Sequence, residues 1–111
     1  MGLDCFWRKP DVNNMEANDE LDAQPVFDPP LDVAGYTPGK GEFRGKAYAN
    51  YIKHATGVSL YRSEISNKVV CRMADALDRY TPPVGLDDMN DELRRMFRAY
   101  AAAGAVLISW W

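Results

Sequence analysis

Gly39-Lys40-Gly41-Glu42-Phe43-Arg44-Gly45-Lys46 is the one stretch of this 111-residue chain with the residue types of a ligand loop. Glycines let backbone N–H groups approach an anion, and a following helix presents its positive end. Lys40, Arg44 and Lys46 would add charge, so the chemistry implied is the holding of a small anion or a nucleotide. The spacing departs from the P-loop, which needs about four residues between its first glycine and its Gly-Lys pair. Here Gly45-Lys46 follows Gly39 after five residues and Gly41 after three, Ala47 replaces the magnesium-binding hydroxyl, and Glu42 would repel a phosphate. A turn leading into a helix is the preferred reading, and anion binding is the alternative.

The remaining reactive types do not assemble into a catalytic set. His54 is the only histidine and stands beside Lys53 and Ala55 near the end of a helical pattern, where it suits the helix dipole. A general base needs a nucleophile and an orienting partner, and the sequence offers neither at a recognisable spacing. Cys5 and Cys71 lie far apart in apolar surroundings and read as reduced, buried thiols of a cytosolic protein. Two cysteines and one histidine lack zinc-ligand spacing. Asp11-Val12-Asn13-Asn14-Met15-Glu16 fails as a calcium loop, because Met15 and Glu16 stand where an oxygen ligand and a glycine are required. Asp87-Asp88 and Asp91-Glu92 are explained by the start of a helix. No catalytic residue, metal or cofactor is expected.

Surplus aromatics and uneven charge point to binding instead. Trp7, Trp110 and Trp111, with Tyr48, Tyr51 and Tyr61, exceed what a small core needs. Alternation in a strand places Trp110 and Trp111 on opposite faces of a sheet, one of them free to act as a hot spot for a partner. Between Pro10 and Pro38 the chain carries Asp11, Glu16, Asp19, Glu20, Asp22, Asp28 and Asp32 without one Lys or Arg. That segment disfavours nucleic acid and could meet a basic partner. The candidate protein-binding residues are therefore Trp7, Trp110, Trp111, Asp19, Glu20 and Asp22.

These residues need elements to position them. Leu3, Cys5 and Trp7 alternate with Asp4, Phe6 and Arg8, and Ala105–Trp111 is a second apolar run; both read as strands of one core. Residues 11–30 read as a flexible acidic loop, and 32–36 as a short edge strand among prolines. Tyr48, Tyr51, Ile52 and Ala55 predict a helix closed by Gly57. Ser66 predicts the cap of a second helix, with Ile65 and Val70 as a hydrophobic staple and Val69, Val70, Met73, Ala74 and Leu77 as its buried stripe. A third begins near Asp88, buries Met89, Leu93, Met96, Phe97 and Tyr100, and ends at Gly104.

Met1-Gly2-Leu3-Asp4, Phe43-Arg44-Gly45-Lys46-Ala47-Tyr48, Ser59-Leu60-Tyr61, and Gly104 followed after five residues by Trp110-Trp111 occur in an order that resembles small proteins of bacteriophages and prophage-carrying bacteria. The likeness covers the outer strands and the helical half and leaves the acidic segment unmatched. It implies a phage-related origin and transfers no catalytic residue.

The sequence thus predicts a single α+β domain over 1–111: paired terminal strands, with three helices on one face. No stretch reaches the length of a membrane span, and a soluble, cytoplasmic protein is expected. The expected activity is non-enzymatic binding of a host or phage protein, with no membrane or nucleic-acid partner.

Overall fold

A computed structural model describes residues 2–23 and 25–111. Met1 of the opening motif and Gln24 of the acidic segment lie outside them. The terminal runs form strands β1 (Asp4–Arg8) and β4 (Val106–Trp110), which pair antiparallel at the centre of the sheet from Asp4↔Trp110 to Arg8↔Val106. Two short strands complete it, β2 (Glu42–Arg44) beside β1 and β3 (Glu64–Ile65) beside β4, in the order β2-β1-β4-β3. The fold is α+β, and both terminal strands lie in the sheet as their alternation predicts.

The helical half follows the sequence closely. After a 3-10 turn at Gly45–Ala47 comes a helix at Ala49–Thr56, here called α2, ended by Gly57 at φ 78°. Helix α3 (Asn67–Arg79) starts where Ser66 Oγ accepts from the Val69 N–H, and buries Val70, Met73, Ala74 and Leu77. Helix α4 (Asp87–Ala102) buries Leu93, Met96, Phe97 and Tyr100, and the chain reverses through Gly104 at φ 77° into β4. Each large apolar side chain moved out of water here contributes about 1.5–3 kcal/mol.

Strand alternation divides the sheet into two unlike faces. Cys5, Trp7, Phe43, Ile65, Leu107 and Ser109 point toward the helices and are buried. Trp7 stacks on Tyr100 with centroids 4.8 Å apart and meets the edge of Phe97 at 5.0 Å, which fastens β1 to α4. The 3-10 turn sits so close to β1 that a Cβ on Gly45 would lie 2.5 Å from the Cys5 sulfur. Asn90 ties the helices together: its side chain accepts from Tyr51 Oη at 2.7 Å and donates to the Leu77 carbonyl at 3.3 Å.

Two expectations need correction. The acidic segment is not loop throughout, because Met15–Ala23 forms a helix, α1, making four helices rather than three. Asn14 Oδ1 accepts from the Ala17 N–H, and the buried Asn18 side chain bonds to Lys9 N, Asp11 O and Asn14 O. Capping and Asn18 thus anchor a helix that turns little but Leu21 into the core. Residues 32–36 are not a strand. Gly35 turns the chain at φ 76°, so only Ala34 O reaches the sheet, accepting from Arg44 N at 2.8 Å. The edges of the sheet belong to Glu42–Arg44 and Glu64–Ile65 instead.

Candidate functional site

The face of the sheet turned away from the helices carries the candidate site. Its side chains are the alternate residues of the same strands: Asp4, Phe6 and Arg8 of β1, Val106, Ile108 and Trp110 of β4, Glu42 and Arg44 of β2, and Glu64 of β3. Phe6 and Ile108 are opposite one another in the ladder, and Trp110 meets the Phe6 ring edge-on at 5.8 Å. The loop after β1 brings Val12 round to this side. Phe6, Arg8, Val12, Ile108 and Trp110 line a mostly apolar depression of about 350 Å³, with no helix residue in its wall. Trp110 is 71% exposed, a large area for a tryptophan to leave in water.

Arg8 borders this depression and is held from several sides. Its guanidinium lies 5.6 Å from the Phe6 centroid, donates to its neighbour's carbonyl, Trp7 O, at 2.8 Å, and stands 3.5 Å from Asp22 Oδ1. Loss of hydration pushes the Asp22 carboxyl above its ordinary range, and the Arg8 charge opposes that rise. Behind the sheet, burial pushes the Cys5 thiol up to about 11, against a hydrogen bond with Ser109 Oγ at 3.2 Å. Cys5 is consequently a neutral thiol near pH 7 and poorly suited to nucleophilic attack. Burial likewise raises the Tyr100 hydroxyl, which contacts Tyr36 Oη at 3.2 Å.

The residues singled out from sequence divide between surface and interior. Trp7 is fully buried against Tyr100 and leaves the binding set, because its parity in β1 turns it toward the helices. Asp22 leaves it as well, half-buried and facing Arg8. Asp19 and Glu20 are exposed on α1. Trp110 and Trp111 are both exposed, at 71% and 55%, contrary to the expectation that one would meet the helices. Trp111 lies past the last residue of β4, where strand alternation no longer governs it, and packs edge-on to Tyr61 at 5.6 Å.

Lys40, Arg44 and Lys46 are exposed, but they do not form an anion cradle. Their own N–H groups already donate to Thr37 O, Ala34 O and Leu3 O, at 3.2, 2.8 and 3.1 Å. Arg44 belongs to an edge strand rather than a glycine loop, and Glu42 shares its face. His54 is exposed on α2, edge-on to Tyr80 at 6.0 Å. Among the described residues, no group of three or more His, Cys, Asp or Glu is placed to hold a metal, and no helix is long and apolar enough to cross a membrane.

Sequence reasoning missed Phe6, Arg8, Val12, Ile108, Glu42 and Glu64 as members of the face. The alternation of Phe6 with Cys5 and Trp7 was the available signal for the first strand. For Glu42 and Glu64 no local signal exists, since each belongs to a strand of two or three residues that only its neighbour defines. No protein-family model matches the chain, and no curated protein or solved structure matches it.

Proposed function

We propose that this chain is a non-enzymatic binding protein that grips a protein partner with the outer face of its sheet. The observation that carries the reading is an apolar depression in which half-buried Phe6 and Ile108 adjoin the exposed Trp110, on the face of the sheet opposite Trp7 and the helices packed on it. A partner seated there would remove Trp110 from water, and a tryptophan at the centre of a desolvated patch is the usual form of a hot spot. Exposed Asp19 and Glu20 of α1 remain candidate acidic contacts for that partner. The likeness of the motifs to small phage and prophage proteins makes a phage or host protein the proposed partner.

Site-directed photo-crosslinking tests this. A photoreactive phenylalanine analogue at position 110 should capture one discrete partner in the bacterial cell, and the same analogue at position 54 should not. Capture must fall when Phe6 is changed to Ser. Equal labelling from both positions, or labelling indifferent to Phe6→Ser, overturns the reading.

A further inference from the structure

The charges around the apolar patch narrow the kind of partner it fits. The ladder pairs Glu42 with Phe6, Phe6 with Ile108, and Ile108 with Glu64. One row across the sheet therefore reads carboxylate, phenyl, aliphatic, carboxylate. Asp4 lies on the same face, one pair further along, between Arg44 and Trp110. Among the described residues, Asp4, Glu42, Glu64 and Arg44 enter no ion pair, whereas Arg8 is engaged by Asp22. The uncommitted charge on the face is three carboxylates against one guanidinium.

A second copy of the chain fits this row poorly. A two-fold axis along the strands would lay Glu42 over Glu64 of the copy, and an axis across them would lay Glu42 over itself. Either stacking sets like charges against one another at the rim of an apolar contact. Area argues the same way. Two central strands of five residues and edge strands of three and two, about 4.8 Å apart, make a face no larger than roughly 15 by 17 Å, far below the ~800 Å² per partner of a standard interface. An α-helix is about 10–12 Å across, and 17 Å of it is about eleven residues. One helix would cover the patch, and a second helical layer is the common completion of a half-covered sheet.

Building on the binding role proposed above, we infer that the outer face receives an amphipathic, basic helix of the partner. Its apolar stripe lies on Phe6, Ile108 and Trp110, and its Lys or Arg residues flank that stripe and meet Glu42 and Glu64.

The probes are two helix-forming peptides of about 14 residues that share one leucine stripe, with lysine at every other position in the first and glutamate in the second. Titrated at low salt into the isotopically labelled full chain, the lysine peptide should shift the amide resonances of Phe6, Ile108 and Trp110. It should bind about tenfold more tightly than the glutamate peptide, as several exposed charge pairs together would give. Changing Glu42 and Glu64 together to Lys should reverse the order, and added salt should narrow it. Equal affinities, or shifts confined to other parts of the chain, overturn the inference. A dimer seen by sedimentation and lost in Trp110→Ser would replace the basic helix with a second copy while leaving the role of the face intact. If Phe6→Ser leaves crosslinking from position 110 unchanged, and neither Phe6→Ser nor Trp110→Ser changes peptide binding, both readings fall.

Discussion

The two faces of the central strand pair are built from adjacent residues, yet they do opposite work. On the inner face Trp7 is stacked between β1 and α4, fully buried, with Tyr100 parallel to it and Phe97 at its edge. On the outer face Trp110, in the strand paired with β1, has one aromatic neighbour and leaves most of its surface in water. The same residue type supports the fold in one place and is free to bind in the other. Parity decides between them: one step along a strand exchanges core for solvent.

The strongest way to break that comparison is to truncate both tryptophans. Trp7→Ala should cost about 3–5 kcal/mol, measured as a fall in the urea midpoint, because it empties the contact between sheet and α4. A loss under about 1 kcal/mol would mean that the inner face is not the core it is taken to be.

Alkaline unfolding sharpens the contrast chemically. Burial raises the folded Cys5 thiol to about 11 from its ordinary value of 9.0. Between those values the unfolded chain has released a proton that the folded chain still holds, so stability falls as pH rises through this window. The slope from this one group is about 1.4 kcal/mol per pH unit. Cys5→Ala should flatten the profile of stability against pH above 9, whereas Phe6→Ala on the outer face should leave its shape unchanged.

Gly45→Ala probes crowding on the inner side. Its methyl group would meet the Cys5 sulfur at 2.5 Å and Leu3 side-chain carbons at 3.1 Å. A loss of about 1–3 kcal/mol is expected from such overpacking, read as a lower thermal midpoint.

The smallest effect belongs to the exposed partner in the comparison. Trp110→Ala should change stability by no more than about 0.5 kcal/mol while abolishing binding of the lysine peptide to the outer face. A large stability loss there would make Trp110 a structural residue and remove the asymmetry between the faces.

The elements that were legible in the sequence are those whose signal is local. The alternation of Leu3, Cys5 and Trp7, the stripe of α4 from Leu93 to Tyr100, the Ser66 cap and the Gly57 end each state their conformation within one or two turns of chain. Trp110 was legible as a candidate on the same ground. Its neighbours on the face were not, because Phe6 and Ile108 meet only when residues far apart in sequence are paired.

What the sequence determined by itself was therefore the α+β class, the pairing of its ends and the spans of three helices, since period and capping are properties of contiguous residues. Tertiary structure alone decided that Met15–Ala23 is helical, that Glu42–Arg44 and Glu64–Ile65 are the sheet edges, and which tryptophan is buried. A nine-residue helix with one apolar side chain in the core and strands of two or three residues have too little intrinsic preference to stand alone. They exist because Asn18, β1 and β4 offer them hydrogen bonds, and that offer is made only once the chain has folded.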